Sequence, residues 1–383
     1  MTMQTSKQRL LAALAHREPE KLPFDLGSTK MTGISYTAYT RYLDFACLNS
    51  LDEYPQMQDI LQQLARPSEA FLRYLECDVR GIFPASVHPM MTEVRGAYTC
   101  VRDEWGIGWK MPVNGGLYYD LSESPLAQAD ELNLDLLESF PFPDPNHEGR
   151  FETLHKQIEG KGNFGLTMHG ITSGVLEMAM RLRGFENFLA DMLITPDMAR
   201  ALLERITDIK IEFWERALQM TKGSIDVIIE PDDLGTQDSL LVSPEVYRKL
   251  VKPCHLRLFT AIKRIAPSIK IFLHSCGAVY PLIHDFIESG VDVLNPVQVS
   301  AAGMDLTILK HEFGRDLTFW GGGIDTQWLL PYGKPSQIKD EVKRAIDILA
   351  PGGGFVFNTV HNIQSDVPPE NLDALFNALS LYR

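Results

Sequence analysis

The most chemically informative stretch of the chain is His274-Ser275-Cys276, which follows a run of apolar, β-prone residues and precedes Gly277. Residues i and i+2 of a strand point to the same side, so the imidazole and the thiol can reach one point in space. Histidine nitrogen and cysteine sulfur are ligands that zinc favours. Two ligands do not complete a site, so a third must come from elsewhere in the chain.

Four other residues are candidates for the third metal ligand: His361, Glu230, His169 and Gln298. Among them, His361 combines a preferred zinc donor with a position just after the last predicted strand. The alternative reading of His361 is a histidine that is hydrogen-bonded within a loop. The alternative reading of His274 and Cys276 is a buried histidine beside an inert thiol.

Glu230 is the acidic residue that ends another apolar run. Burial there would raise the pKa of its carboxyl group and suit it to acid–base catalysis or to metal ligation. A helix-capping carboxylate is the alternative, but Asp232 or Asp233 would fill that role better. We therefore treat Glu230 as a candidate catalytic residue.

Eight short apolar or β-branched runs recur along the chain, most of them separated by segments long enough for a helix. The runs are Leu22 to Leu26, Val79 to Phe83, Phe164 to Met168, Ile225 to Glu230, Ile269 to His274, Val291 to Asn295, Leu317 to Trp320 and Gly354 to Asn358. Alternation of strands and helices predicts a parallel sheet, and eight such units predict an α/β fold of the (β/α)8 TIM-barrel type. We expect one barrel domain over residues 1–383.

Two further elements are predicted outside the repeating units. Apolar residues at helical spacing between Ser6 and His16 predict an N-terminal helix that begins at Thr5 or Ser6. The aromatic stretch Tyr98 to Met111 predicts an inserted β-hairpin after the second strand. Trp105 on this hairpin is a candidate substrate-binding residue, although an aromatic-rich hairpin more often packs on the barrel.

In a (β/α)8 barrel, active sites lie at the carboxyl ends of the strands. Several polar residues occupy such positions here. His169, Asn295 and Gln298 are candidate substrate-binding residues, and Asp325 after the seventh strand is a second candidate catalytic residue.

Charge and composition exclude several classes of partner. The chain has 36 basic and 50 acidic residues and a formal net charge of −14, which argues against nucleic acid or an anionic membrane as the main partner. No stretch approaches 18 uninterrupted apolar residues, and the opening residues lack a basic segment that leads into an apolar one. Five dispersed cysteines without a CxxC pair fit reduced thiols. We expect a cytoplasmic protein.

Several segments together resemble the uroporphyrinogen decarboxylase superfamily and are most similar to its corrinoid-dependent methyltransferase branch, which includes O-demethylases. The segments are His274 to Gly277, Pro296-Val297-Gln298, Phe319 to Asp325, Pro368 to Asn371, and the opening Arg9 to Leu14 with Lys21 to Pro23. The resemblance covers nearly the whole chain and implies the same barrel fold.

Two departures from the family patterns refine this resemblance. Decarboxylases carry an arginine-rich motif after the first strand to bind substrate carboxylates, whereas this chain reads Asp25 to Gly33 there without an arginine. The methyltransferases have a late cysteine at a set distance before Glu370-Asn371, and the matching position here is His361. The resemblance thus implies a zinc site of His274, Cys276 and His361, in which a single thiolate leaves the metal positively charged and a strong Lewis acid.

The resemblance implies a zinc-dependent methyltransferase that moves a methyl group between a methoxylated compound or thiol and a corrinoid. The chain lacks the DxHxxG segment of cobalamin-carrying domains, so the corrinoid is expected on a separate partner protein. One alternative is a metal-free enzyme that acts on a tetrapyrrole or another polycarboxylate. A second alternative is a non-catalytic barrel that binds a small ligand and holds a structural metal.

Overall fold

Seven parallel strands form the central sheet of the computed structural model, which describes residues 3–88, 90–129 and 131–383. In chain order the strands are β1 (Gln56–Asp59), β2 (Leu64–Arg66), β3 (Val79–Ile82), β4 (Glu93–Arg95), β5 (Tyr98–Arg102), β6 (Gly108–Pro112), β7 (Asp120–Glu123), β8 (Gly165–His169), β9 (Val227–Pro231), β10 (Lys270–His274), β11 (Val293–Asn295), β12 (Thr318–Trp320) and β13 (Phe355–Val356). The parallel sheet has the order β3, β8, β9, β10, β11, β12, β13, so neighbours in space are successive strands of the barrel.

Helices follow the parallel strands, as the alternating pattern predicts. They are α1 (Ser6–Leu14), α2 (Tyr36–Phe45), α3 (Glu69–Tyr74), α4 (Leu134–Ser139), α5 (Leu154–Ile158), α6 (Val175–Arg183), α7 (Phe185–Ile194), α8 (Pro196–Thr221), α9 (Pro244–Val246), α10 (Lys252–Ile265), α11 (Ile283–Glu288), α12 (Leu306–Phe313), α13 (Leu329–Tyr332), α14 (Pro335–Leu349) and α15 (Pro369–Tyr382). A π-helical turn, Tyr247–Val251, joins α9 to α10. Within the described ranges, no helix is both long enough and apolar enough to cross a membrane.

The first predicted strand closes the barrel through a single bridge rather than a full ladder. Phe24 pairs in parallel with Phe357, and the amide of Phe357 donates to the carbonyl of Pro23 at 2.9 Å. On the other side, the amide of Asp78 donates to the carbonyl of Phe24 at 2.8 Å. A longer ladder is prevented because Pro23 has no amide hydrogen. The segment therefore links β13 to β3 and completes the predicted (β/α)8 barrel.

Alternate residues of the strands fill the barrel interior and form a buried cluster with α1. The strand members of this cluster are Val79, Val227, Ile229, Phe272, Val293, Trp320 and Val356. Helix α1 contributes Leu10 to the cluster and lies against the beginning of β8, where a Cβ on Gly165 would come within 2.1 Å of the Leu10 side chain. Glycine at this position lets the predicted N-terminal helix pack against the barrel interior.

The predicted hairpin lies at the centre of a larger insertion. Strands β5 and β6 pair antiparallel, with Val101 opposite Trp109, and β4 and β7 extend them to a four-stranded sheet. The turn between β5 and β6 is anchored to the barrel because Glu104 forms a bidentate ion pair with Arg150, at 2.7 and 2.9 Å. Both side chains are largely buried, so the insertion has a defined position on the barrel.

Strand alternation places Glu230 on the outer face of the barrel. Its neighbour Ile229 belongs to the interior cluster, so the side chain of Glu230 points toward α8. There the fully buried Lys210 ammonium lies 2.8 Å from its carboxylate, and Trp214 Nε1 donates to the other oxygen at 2.5 Å. Burial raises the pKa of Glu230, and Lys210 opposes that change.

Removal of one partner of this buried pair should destabilise the fold strongly. Lys210→Met leaves the Glu230 carboxylate buried without a counter-charge, and we expect a loss of about 3 to 5 kcal/mol in the free energy of unfolding at pH 7. The double variant Lys210→Met/Glu230→Gln should recover much of that loss because it removes the charge. Urea unfolding of the wild type and both variants measures this, and equal losses for the two variants would contradict it.

Candidate metal centre and cavity at the barrel mouth

His274, Cys276 and His361 come together at the carboxyl end of the barrel. One potential ligand atom from each lies within 4.8 Å of the other two. His274 Nε2 is 3.4 Å from Cys276 Sγ, and the two imidazole rings have centroids 5.4 Å apart. The structure therefore brings together the three residues that the sequence and the resemblance singled out.

His274 is oriented by Asn295 on the neighbouring strand. The parallel register sets His274 opposite Asn295, at the same level of the barrel. The amide group of Asn295 donates to the carbonyl of Trp320 at 2.6 Å, so its oxygen faces His274 Nδ1 at 2.5 Å and accepts a hydrogen bond. Nδ1 thus carries the proton, and the lone pair of Nε2 is free for a metal. Asn295, a predicted substrate-binding residue, therefore orients His274.

Cys276 is held by the turn that follows β10. Its amide donates to Asp233 Oδ1 at 2.8 Å, and the amide of Gly277 donates to Gln298 Oε1 at 2.8 Å. Gly277 has a φ of +91°, and a Cβ there would lie 2.4 Å from the backbone oxygen of Thr236. Only glycine fits this turn. Gln298, predicted to bind substrate, anchors the backbone beside the thiol.

Burial shifts the pKa values of Cys276 and His361, and both shifts favour the neutral side chain. Burial, with Asp233 and Glu177 nearby, raises the pKa of the Cys276 thiol well above its usual range. Burial and the adjacent His274 lower the pKa of His361 to about 4, so its imidazole is neutral at physiological pH. A bound cation would stabilise the thiolate that the protein alone disfavours.

The donor set, and the spacing of two of its three donor atoms, fit a zinc ion. Zinc ligand distances of about 2.0 to 2.3 Å place tetrahedral donor atoms roughly 3.3 to 3.8 Å apart. The observed 3.4 Å between His274 Nε2 and Cys276 Sγ falls within that range. Two imidazoles and one thiolate leave a fourth position for water or substrate, as in catalytic zinc sites with three protein ligands.

A cavity of about 380 Å³ opens beside this group and has His274 and His361 in its wall. Its opposite wall is the turn of the insertion, which contributes Asp103, Glu104 and Trp105. Trp105, a predicted substrate-binding residue, is 3% exposed, and its Nε1 has no hydrogen-bond partner within the described ranges of the chain. Its position in the wall is consistent with contact to a bound molecule.

His169 also lines this cavity, as expected of a substrate-binding residue. It stacks on Phe83 with ring centroids 5.0 Å apart, and its Nε2 accepts a hydrogen bond from the amide of Lys30 at 3.0 Å. Burial and the nearby Lys30 charge lower the pKa of His169 to about 3. It therefore contributes a neutral aromatic surface rather than a proton donor.

Glu177, near the start of α6, is a functional candidate that sequence reasoning missed. It lines the cavity and pairs with Arg181, one turn further along the helix. Burial, together with Asp233 and Asp232, raises the pKa of Glu177 to about 7, and Arg181 opposes that rise. A carboxyl group with such a pKa can donate or accept a proton at neutral pH. Its sequence context, an amphipathic helix, carries no motif that would reveal this.

Two predicted catalytic residues are not brought into the cavity. Glu230 is engaged by Lys210 on the outer face of the barrel. Asp325 accepts hydrogen bonds from the amides of Trp328 and Leu329, at 2.7 and 3.0 Å, and so caps α13. Periodicity places a residue at a strand end but does not show whether its partners come from the cavity or from a helix.

The family model for uroporphyrinogen decarboxylase (URO-D) matches residues 119–382. The chain belongs to the URO-D family. This confirms the resemblance drawn from the sequence.

Relatives within the URO-D family have different activities. A uroporphyrinogen decarboxylase from Trichlorobacter lovleyi is 24% identical over 264 residues, covering 67% of this chain and 72% of that enzyme. A methylated-thiol–coenzyme M methyltransferase from Methanosarcina mazei is 26% identical over 231 residues, covering 60% of this chain and 56% of that enzyme. The second relative supports the predicted methyltransferase branch.

A solved structure confirms the fold over the whole length of this URO-D family member. A methyltransferase from Methanosarcina mazei superposes with a TM-score of 0.63 at 17% sequence identity, and the match covers 99% of each chain. The shared architecture agrees with the barrel that the strand count predicted.

Loss of the Asn295 carbonyl should weaken metal binding without removing a ligand. Asn295→Ala frees the His274 ring to rotate and change tautomer, so we expect zinc affinity to fall about 10- to 100-fold. Competition with a chromophoric chelator measures that affinity. An affinity equal to that of the wild type would show that Asn295 does not orient His274.

Glu177 should make stability depend on pH in a defined direction. Its folded-state pKa of about 7 lies above the ordinary value of 4.5, so the folded protein holds a proton that the unfolded chain releases. The contribution of Glu177 is therefore fully present below pH 4.5 and is lost as the pH rises through 7. Relative to the wild type, Glu177→Gln should gain stability across that interval.

Urea unfolding at several pH values between 4 and 8 measures the difference between the two proteins. Glu341→Gln is the matched control, because Glu341 also pairs with an arginine of its own helix, Arg344. A difference between Glu177→Gln and the wild type that stays constant with pH would contradict the assignment.

Proposed function

We propose that this protein is a zinc-dependent methyltransferase that moves a methyl group between a small molecule and a corrinoid carried by a separate protein. The observation that carries the proposal is the convergence of His274, Cys276 and His361 beside a cavity at the barrel mouth. The methyltransferase among the relatives in the URO-D family supports it.

His274, Cys276 and His361 would hold the zinc ion, with Asn295 fixing the orientation of His274. When bound, zinc would supply Lewis acidity toward a methyl ether oxygen or a thiol that reaches the fourth position. The corrinoid would supply the cobalt that accepts or donates the methyl group. Both directions of transfer use the same open position.

Residues of the chain would donate or accept the proton that the reaction requires, and they would exclude water from the reacting atoms. A methyl ether that loses its methyl group leaves an alkoxide or phenolate, which needs a proton, and an acceptor thiol must lose one. The carboxyl group of Glu177 can exchange that proton, since it lines the cavity and has a pKa of about 7. The buried turn around Trp105 would limit access of water to the reacting atoms.

The decarboxylases among the relatives make porphyrinogen decarboxylation the rival function. A substrate with many carboxylates needs unpaired cations. The lysine and arginine residues that the structure describes in the cavity wall are Lys30, Arg150 and Arg181, and each already has a carboxylate partner. This charge pattern, with the missing arginine motif after the first strand, favours methyl transfer.

Cys276→Ser should abolish both metal content and activity. We expect about one zinc per chain in protein purified without chelator, and loss of that zinc in the variant because serine is a poor zinc ligand. Methyl transfer, followed by the absorbance of a reduced corrinoid protein mixed with methoxylated compounds and thiols, should fall at least about 100-fold.

Cys254→Ser is the matched control, because Cys254 is a buried cysteine on α10, outside the ligand group and the cavity wall. It should keep both zinc and activity. A wild-type protein free of zinc, or a corrinoid spectrum that no compound of a broad panel changes, would count against the proposed function.

A further inference from the structure

The cavity wall holds a pattern of charges that the proposed reaction does not explain. Arg150 pairs with Glu104 through two hydrogen bonds, and Arg181 pairs with Glu177 one turn away on α6. Lys30 lies 2.9 Å from Asp59. Each of these cations therefore already has a carboxylate partner in the protein before any ligand arrives.

The carboxylates in the wall are less fully compensated. Asp233 accepts the Cys276 amide, and Asp103 accepts Trp109 Nε1 at 2.9 Å, but neither has a lysine or arginine partner in the part of the chain that the structure describes. Apart from a metal ion at the ligand group, the side chains of the wall thus carry no unpaired lysine or arginine in the part of the chain that the structure describes, whereas two carboxylates lack such a partner. An anionic group placed away from the ligand group would lose its hydration and gain no unpaired lysine or arginine in return.

One donor in the wall is left unsatisfied. Trp105 Nε1 is buried and has no hydrogen-bond partner among the residues that the structure describes, and the residue lines the cavity. Its position is set in advance, because Asp103 accepts the backbone amides of Trp105 and Ile107 at 2.9 and 3.0 Å. A buried N–H group that the fold holds in place but does not satisfy is suited to an acceptor atom supplied by a ligand.

We propose that this cavity selects an electrically neutral substrate whose oxygen atom accepts a hydrogen bond from Trp105 Nε1, and that it rejects anionic analogues of the same size. Trp105 is then a specificity-determining residue, and the Glu104–Arg150 and Glu177–Arg181 pairs set the charge preference. This inference rests on the proposed function only for the choice of probes. It favours neutral methoxylated compounds and neutral thiols over carboxylated or sulfonated ones.

Two pairs of probes have nearly the same size and shape and differ mainly in charge: 2-methoxybenzamide with 2-methoxybenzoate, and 3-mercaptopropanamide with 3-mercaptopropanoate. Isothermal titration calorimetry of the zinc-loaded protein should show each neutral probe binding at least about tenfold more tightly than its anionic counterpart. Trp105→Phe should weaken binding of 2-methoxybenzamide about fivefold with zinc content unchanged, since one hydrogen bond is lost. Trp328→Phe, an exposed tryptophan outside the cavity wall, is the control and should change neither.

A charge-release variant, in which a wall arginine loses its carboxylate partner, should bind the anionic probe more tightly. Glu104→Gln leaves the Arg150 guanidinium without its carboxylate, so binding of 2-methoxybenzoate should strengthen at least about fivefold. Glu177→Gln, which frees Arg181 in the same way, is the second variant if Glu104→Gln does not fold.

The inference is wrong if the neutral probes bind no more tightly than the anionic ones, or if Trp105→Phe leaves the affinity unchanged. It is also wrong if a folded charge-release variant gains no affinity for the anion. Failure of the proposed function has a different signature: the corrinoid absorbance stays constant with every probe, whatever the order of binding affinities.

Discussion

The hydrogen bond between His274 and Asn295 is the interaction on which the candidate metal centre depends. It joins the ends of β10 and β11 at one level of the barrel, because the parallel register sets the two residues side by side. By fixing the proton on Nδ1, it leaves Nε2 directed toward Cys276. A slip of one residue in either strand would turn one of these side chains away from the other.

The buried thiol adds a second constraint to this arrangement. Cys276 lies near Asp233 and Glu177, and burial with these carboxylates keeps it protonated in the protein alone. A bound cation would be needed to make the thiolate form of this ligand favourable. Negative charge around the ligand group would also retain a metal that is held by one thiolate and two neutral imidazoles.

Much of the architecture could be predicted from periodicity. The strand from Lys270 to His274 and the N-terminal helix from Ser6 to Leu14 lie where the apolar pattern placed them. The first strand was predicted in full but forms only a bridge at Phe24, because Pro23 interrupts the ladder. The predicted hairpin is the centre of a four-stranded sheet, because β4 and β7 pair with its two strands. These flanking strands have few apolar residues and pair through backbone hydrogen bonds, which an apolar pattern does not reveal.

The sequence by itself determined the barrel, the pair of ligands on one strand and, through the family resemblance, the third ligand at His361. Only the tertiary structure decided which of the other candidate residues line the cavity. The side chain of Glu230 lies on the outer face of the barrel, where it contacts Lys210 of α8. Glu177, on α6, lines the cavity. The physical reason is that a metal-binding pair at positions i and i+2 is local, whereas the burial and charge partners of a carboxylate come from elements distant in the sequence.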